Sequence, residues 1–227
     1  MKPVDLRVFN APAEAQNAAA KLLVEAARAC VPIALSGGSS PGPAYEEAAE
    51  LEPDWGAARL WWGDERCVPP DDERSNYLLV KRTLLDRLER KPAGIHRIRG
   101  ELGGEQAAAE YDRLLENVRL GLALQGIGPD GHTASLFPNS PALEERERRA
   151  VAVPHEDVER VTMTLPVLSG ARQVVFLVLG EAKAEAVGRA FACEPDPATP
   201  ASLLRSTEGE TIVLLDRPAA AKLDNVG

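Results

Sequence analysis

Five short apolar runs recur along the chain, and each has the length of one buried β-strand. They are VPIAL at 31–35, RLWW at 59–62, LGLAL at 120–124, VVFLVL at 174–179 and TIVLL at 211–215. Apolar residues recur at helical spacing before and between these runs, at 11–29, 44–50, 78–88, 107–115 and 182–191. Strands that alternate with helices are typical of a parallel sheet. We therefore predict an α/β fold with a single doubly wound, mostly parallel sheet flanked by helices, a Rossmann-like three-layer sandwich.

Two segments depart from this alternation. Residues 150–172 mix a strand, a turn and a short helix, and CEPDPAT at 193–199 has the composition of a loop insert. A short extended piece is expected at 94–99, and a short helix after residue 215. With no internal repeat or low-complexity tract, one α/β domain over residues 1–227 fits the pattern better than two.

Composition narrows the possible partners. The 227 residues are 44% hydrophobic and 27% charged, as in an ordinary globular protein, and the net charge of −9 disfavours nucleic acid and anionic membranes as partners. The start of the chain lacks the apolar core of a signal peptide, and no apolar run approaches the roughly 20 residues of a membrane span. A small molecule is the expected ligand, bound by a cytoplasmic monomer or weak homodimer.

Cysteine and motif patterns give no sign of a cofactor. Cys30, Cys67 and Cys193 are dispersed without the spacing of a zinc site, which favours a reducing compartment over a disulfide framework. Neither a Walker A loop nor a GxGxxG fingerprint is present. We expect no metal and no cofactor.

Polar or glycine-rich motifs follow four of the predicted strands, at 36–40, 64–66, 126–132 and 180–183. In an open parallel sheet, ligands bind beyond the carboxyl ends of the strands, where such loops converge. The coincidence of four motifs at one edge predicts a binding site there.

The first motif, SGGSSP, has two interpretations. Gly37, Gly38, Ser39 and Ser40 can present backbone N–H groups and hydroxyls to a phosphate at a helix N-terminus. Alternatively, the stretch is a tight turn in which Ser40 caps the next helix and Pro41 is its first residue.

The charged motif also has two interpretations. Arg66 is suited to bidentate contact with a phosphate or carboxylate. Structural ion pairing with a neighbouring helix is the alternative, favoured more for Glu65 than for Asp64 or Arg66. Lys183 also has two interpretations. It either points into the binding site at this edge of the sheet or is a solvated surface lysine.

His132 lies in GPDGHT, between glycines and at the start of an expected helix. A helix N-terminus keeps a histidine neutral and able to act as a base, while the alternative is a histidine hydrogen-bonded for structure. Asp130 either orients the ring or caps the helix. Without a GxSxG elbow, activation of water by His132 is the more economical chemistry. We expect His155 to lie at the surface. We expect Trp61 and Trp62 to pack in the core and at its rim.

Together the four motifs resemble the 6-phosphogluconolactonase family. The matching stretches are LSGGSSP at 35–41, WWGDERCVPPDDERSN at 61–76, GIGPDGHTASLFP at 126–138 and LVLGEAKAEAV at 177–187. The resemblance extends from the first helix to the last strand, although Gln125 stands where an apolar residue is expected. It implies the sugar-phosphate isomerase/lactonase fold and hydrolysis of 6-phospho-D-glucono-1,5-lactone to 6-phospho-D-gluconate.

The resemblance also implies residue roles. His132 would activate water, Asp64 would orient a sugar hydroxyl or His132, and Arg66 and Lys183 would bind the phosphate. Backbone amides at Gly37–Ser39 and at Gly131 would stabilise phosphate or the oxyanion. Ser75 and Asn76 match the family without an assignable role.

Two rival functions remain open. One is a deaminase that isomerises an amino sugar phosphate, although that group usually has an aromatic residue in place of Arg66 and a different segment in place of HTASLFP. The other is a sugar-phosphate sensor without catalytic activity.

Overall fold

Seven parallel strands form the central sheet of the computed structural model, which describes residues 3–223. The strands are β1 (Val4–Phe9), β2 (Pro32–Leu35), β3 (Arg59–Trp62), β5 (Gly94–His96), β6 (Leu122–Gln125), β9 (Gln173–Val178) and β10 (Glu210–Asp216). Their order in the sheet is β1-β10-β9-β6-β2-β3-β5. The predicted parallel sheet is confirmed, and its central strands are continuous apolar runs because helices cover both faces of such sheets. The predicted domain limits, residues 1 and 227, lie outside the described residues.

Seven α-helices surround the sheets within residues 3–223. They are α1 (Pro12–Arg28), α2 (Gly42–Leu51), α3 (Asn76–Thr83), α4 (Gly104–Leu114), α5 (Leu165–Ser169), α6 (Ala184–Phe191) and α7 (Arg217–Ala220). Helix α1 begins at Pro12, whose fixed φ suits the first helical position, and it buries an alanine-rich stripe. With few aromatic residues available, small side chains let helices approach the sheet closely. No helix of the described residues has the length and hydropathy needed to cross a membrane.

Three antiparallel strands form a second, small sheet in the order β4-β8-β7. They are β4 (Asp64–Arg66), β7 (Ala150–Val153) and β8 (Arg160–Met163). The pattern at 150–172 predicted one strand, a turn and a helix, whereas two strands precede α5 there. The Asp-Glu-Arg motif, predicted as a strand-end loop, is itself a strand because β8 supplies its hydrogen-bonding partner.

Smaller differences concern the ends of elements. Strand β1 was not predicted, and the long helix expected at 78–88 ends at Thr83 and is followed by a 3₁₀ turn, Leu85–Arg87. The loop expected at 193–199 and the short helix after residue 215 are both confirmed.

The order of the strands reverses between β2 and β6. From β2 the chain proceeds to β3 and β5 on one side, and β6, β9 and β10 lie on the other. At such a switch point the connections leave in opposite directions and open a crevice beyond the strand ends. The fold therefore places the candidate site between the loops that follow β2 and β6.

Candidate active site

A cleft opens at this switch point. Three of the four predicted strand-end motifs line it, together with Lys183 from the fourth motif. Its lining includes the first loop, the β4 carboxylate and arginine, the end of β6 with the histidine loop, and one residue of β8. These residues are Ser36, Gly37, Gly38, Ser39, Ser40, Pro41, Asp64, Arg66, Asn76, Gln125, Gly126, Ile127, Gly128, Pro129, His132, Ala134, Arg160, Leu177, Val178 and Lys183. Most of the predicted site residues thus line one cleft.

The histidine lies in a tight turn rather than at a helix end. The Gly128 N–H donates to the His132 carbonyl at 2.9 Å, and Nδ1 of His132 lies 2.6 Å from Oδ1 of Asp130. A Cβ on residue 128 would lie 2.2 Å from the His132 ring, so only glycine lets the turn close over the imidazole. The sequence of the turn therefore fixes both the ring and its carboxylate partner.

Asp130 determines which ring nitrogen is free. Partial burial acts to raise the pKa of Asp130, but hydrogen bonds from the His132 backbone and ring, with the charge of His132, outweigh burial and lower it. An ionised carboxylate only accepts hydrogen bonds, so Nδ1 carries the proton that joins the two side chains. This leaves Nε2 unprotonated in the neutral ring and able to accept a proton.

The premise of a helix after His132 is wrong. Residues 133–136 form a turn closed by a bridge between Thr133 and Leu136, so Asp130 caps no helix. The turn forms instead because Thr133 Oγ1 donates back to the Gly126 carbonyl at 2.9 Å. Gly131 lies outside the cleft lining, and its N–H already donates to the Gly128 carbonyl. The geometry therefore does not favour Gly131 as an oxyanion donor.

The loop after β2 presents unused backbone donors to the cleft. Among residues 3–223, no protein acceptor receives a hydrogen bond from the N–H groups of Gly37–Ser40. The buried Tyr45 hydroxyl holds the start of this loop, because it donates to the Ser36 carbonyl at 2.8 Å and accepts from the Ser36 N–H at 3.0 Å. Ser40 is not the helix cap predicted from the sequence, since α2 begins at Gly42 after Pro41 and no side chain caps it.

Two arginines face each other across the small sheet. Arg66 on β4 and Arg160 on β8 are cross-strand partners, and both line the cleft. Side chains at directly opposed positions lie about 5 Å apart at Cβ, and like charges there are destabilising. An anion bound between the two guanidinium groups would remove this repulsion.

Each arginine keeps donors available. The Arg160 Nη2 donates to Asp157 at 2.9 and 3.0 Å, and its Nε donates to the Val158 carbonyl at 3.2 Å. Arg66 Nη1 donates to the Arg74 carbonyl, whereas its buried Nε has no acceptor among residues 3–223. Arg160 was not predicted, because no local motif marks it and only its pairing with β4 brings it to the cleft.

Lys183 is a third cationic residue of the cleft lining. It is the last residue of a 3₁₀ turn, Glu181–Lys183, directly before α6, rather than two residues inside a helix. Burial lowers the pKa of Lys183, and the nearby Asp130 carboxylate opposes that shift. The lysine therefore lies close to the histidine turn and supplies a third cation to the cleft.

A buried polar cluster forms the wall between the arginines and the histidine turn. Asp64 is 7% exposed, and it accepts from Ser135 Oγ at 2.6 Å and from Asn76 Nδ2 at 3.2 Å. Of the two predicted carboxylates, only Asp130 contacts the His132 ring; Asp64 is held by Asn76 and Ser135. The remaining lone pairs of Asp64 suit hydroxyl donors of a ligand.

Glu65 supports this wall from behind. Its carboxylate accepts hydrogen bonds from the N–H groups of Arg66, Asn76 and Tyr77 and from Ser75 Oγ. Burial raises the pKa of Glu65, and these four donors oppose the rise. The expected structural role of Glu65 is therefore found as a cap on α3 rather than as an ion pair.

Other singled-out residues lie outside the cleft lining. His155 is exposed, pairs with Asp157 and packs on Phe137, with ring centroids 4.6 Å apart. Trp61 and Trp62 are buried in the core, and Trp61 stacks on His96. The surface position of His155 and the packing role of the tryptophans are confirmed. Within residues 3–223 no group of three or more His, Cys, Asp or Glu side chains has the arrangement of a metal site.

Comparison with known proteins points to one family. The family model for glucosamine-6-phosphate isomerases and 6-phosphogluconolactonase matches residues 10–213. A 6-phosphogluconolactonase from Synechocystis is 39% identical over 201 residues, or 84% of each chain, and the one from Homo sapiens is 35% identical, covering 96% of this chain and 93% of its own. The structure of 6-phosphogluconolactonase from Trypanosoma brucei superposes with a TM-score of 0.83 at 28% identity, covering 98% of this chain and 99% of that one. The chain belongs to the family of glucosamine-6-phosphate isomerases and 6-phosphogluconolactonases.

Proposed function

We propose that this protein hydrolyses 6-phospho-D-glucono-1,5-lactone to 6-phospho-D-gluconate, with water activated by His132 and without a metal ion. The observation that carries the proposal is the His132–Asp130 pair in a cleft that also holds three cationic side chains. The named activity of the relatives in the family supports the substrate. Hydrolysis of a cyclic ester needs a base and a site that stabilises the oxyanion. Recognition of a phosphorylated ester also needs cations that bind its phosphate group.

In the first step, Nε2 of His132 removes a proton from water as the water oxygen attacks the C1 carbonyl of the lactone. Asp130 keeps the proton of the imidazole on Nδ1 and stabilises the imidazolium that forms. The carbonyl oxygen becomes an oxyanion in a tetrahedral intermediate. The unused N–H groups of the Gly37–Ser40 loop are suited to binding a negative oxygen of the substrate.

In the second step, the intermediate collapses and the bond between C1 and the ring oxygen breaks. The ring oxygen takes the proton from the His132 imidazolium, so the base returns to its neutral form and the product is an open-chain acid. No covalent bond to the protein forms in this scheme.

The phosphate would bind between Arg66 and Arg160, with Lys183 as a third cation of the same cleft. The opposed arginines carry the strongest argument, because an anion between them replaces repulsion by charge-assisted hydrogen bonds. Asp64 then faces the sugar hydroxyls, where an acceptor is needed rather than a cation.

Acid release from fresh lactone tests the proposal. In a pH-stat with a metal chelator present, we expect hydrolysis far above the spontaneous rate, with kcat/KM at least about tenfold lower for the unphosphorylated lactone, because one or more charge-assisted contacts are lost. Ammonia release from glucosamine 6-phosphate, measured in parallel, should be absent. Ammonia release without acid release would favour the deaminase, and binding of 6-phosphogluconate without turnover would favour the sensor. Loss of activity in the chelator would refute the metal-free mechanism alone.

A further inference from the structure

The loop insert near the C-terminal end of the chain packs against the histidine turn. We infer that residues 193–202 hold this turn in its productive conformation, and that Thr199 and Arg189 are positioning residues for His132. This inference rests on the proposed function for its kinetic consequence. The contacts that carry it are independent of the substrate.

The first contact is with Gly131, next to the histidine. The Ala201 N–H donates to the Gly131 carbonyl at 3.0 Å. Gly131 has a φ of +96°, and a Cβ there would lie 2.9 Å from Thr199 Cγ2 and 3.1 Å from Thr199 Cα. The buried Thr199 therefore packs directly on a backbone position that only glycine adopts easily.

The second contact joins helix α6 to the same turn. Arg189 Nη2 donates to the Pro129 carbonyl at 3.2 Å, and its Nε donates to Thr199 Oγ1 at 3.2 Å. One guanidinium thus links the residue before Asp130 to the residue that packs on Gly131. Because α6 directly follows Lys183, the same helix connects the cationic side of the cleft to the base.

A third contact is made by the residue that directly follows the histidine motif. The Asn139 N–H donates to the Pro197 carbonyl at 3.2 Å. The segment is itself closed by backbone bonds from Thr199 to Asp196 and from Ser202 to Thr199, both 2.8 Å long. It is therefore a folded unit that contacts Gly131 directly, is linked to Pro129 through Arg189, and contacts Asn139 just after the histidine motif.

The functional consequence follows from the geometry of the turn. Asp130 and His132 lie on either side of Gly131, and their contact depends on the local backbone, because their own side chains are partly exposed. A base displaced by about 1 Å can lose as much as a hundredfold in rate. Loosening the segment should therefore lower kcat while the phosphate contacts, and so KM, are retained.

Three variants test this inference: Thr199→Val, Arg189→Ala and the double variant. Thr199→Val keeps the shape of the side chain but removes the hydroxyl that receives Arg189. We expect each single variant to lower kcat by about threefold to tenfold with KM changed less than twofold. The double variant should be no worse than the poorer single variant, since both remove one shared hydrogen bond. Arg189→Lys should recover part of kcat by reaching the Pro129 carbonyl.

Long-range ¹H–¹⁵N correlation spectra of the three histidines provide a readout without turnover. The wild-type His132 should show the Nδ1–H tautomer, and Arg189→Ala should show a mixture of tautomers. Arg172→Ala, an exposed arginine at the opposite edge of the sheet, is the matched control and should change neither kcat nor the spectrum.

An unchanged kcat in both single variants, or an unchanged His132 spectrum in Arg189→Ala, would overturn the inference and assign these contacts to fold stability alone. If the wild-type protein hydrolysed no lactone, the proposed function would fail, whereas the spectra would still decide the positioning role.

Discussion

The two sides of the cleft are built in different ways. The histidine side comes from one continuous stretch, residues 126–137, in which backbone hydrogen bonds and Gly128 hold His132 against Asp130. The cationic side comes from separate parts of the chain, because Arg66, Arg160 and Lys183 lie on β4, β8 and the turn before α6. A local turn can set one ring to within fractions of an ångström, whereas a cation cluster needs only proximity. From this difference we expect the histidine turn to determine the rate of the reaction and the cationic side to determine the affinity for the substrate.

Removal of the His132 imidazole should give the largest effect and should show that the two sides of the cleft have different roles. We expect His132→Ala to lower kcat by about 10²–10⁴-fold, the usual contribution of a general base, with little change in the affinity for 6-phosphogluconate. Acid release in a pH-stat measures kcat, and calorimetry measures product binding. Arg172→Ala is the control, since that exposed arginine precedes β9 at its amino end, lies outside the cleft lining and should retain activity. Turnover at the wild-type rate in His132→Ala would make the histidine structural.

Removing either arginine of the small sheet should give the opposite pattern. We expect Arg160→Ala and Arg66→Ala to raise KM for the phosphorylated lactone by about 10- to 100-fold, because a charge-assisted hydrogen bond contributes roughly 1.5–3 kcal/mol. The unphosphorylated lactone should be affected much less. Arg82→Ala, which removes an exposed arginine paired with Glu73, serves as the control. Equal changes for both lactones would remove the phosphate role from these residues.

The opposed arginines Arg66 and Arg160 also predict an effect on thermal stability in the absence of substrate. If the two guanidinium groups repel each other, either alanine variant should unfold at the same or a slightly higher temperature than the wild type in phosphate-free buffer. Added phosphate should then stabilise the wild type more than the variants. A thermal scan with and without phosphate measures both.

We expect the smallest effect from Lys183, in the pH dependence of the affinity for 6-phosphogluconate. Burial lowers the pKa of Lys183, so its charge is complete below that pKa and is lost as the pH rises through it, before an ordinary lysine would titrate at 10.5. Affinity for 6-phosphogluconate should therefore fall by about threefold to tenfold at alkaline pH. In Lys183→Arg the fall should move to higher pH. An identical pH profile for both proteins would show that the lysine does not contact the ligand.

Sequence patterns predicted the loops of the histidine side and two of the three cations, Arg66 and Lys183, but not Arg160. The apolar runs before Ser36 and Gly126 mark strands, and the glycines after them mark turns, so both loops and their common edge follow from local signals. Arg160 has no such signal. Its place in the cleft depends on pairing between β4 and β8, which lie almost a hundred residues apart in sequence, and no local pattern specifies that register.

The errors near His132 and at the N-terminus have separate causes. A histidine after glycine and before apolar residues resembles a helix start, but the Thr133 hydroxyl bonds back to Gly126 and closes a turn instead. Strand β1 carries apolar Val4, Leu6 and Val8 alternating with charges, which is a strand pattern, yet it lies at the sheet edge and lacks the continuous apolar run of the central strands. The residue roles assigned to the cleft stay predictions until the variants above are measured.

The pairing of β1 has a consequence for how the protein is made. Within the described sheet, its neighbour is β10, so the first strand to be synthesised pairs with the last. At roughly 5–20 residues per second, about 10–40 s separate the two strands on a ribosome. Throughout that interval the backbone N–H and C=O groups of β1 have no strand to bond with, whereas its side chains Leu6 and Val8 stay exposed even in the folded sheet. A permuted gene in which β10 precedes β1 would shorten the interval during which this backbone edge is unpaired.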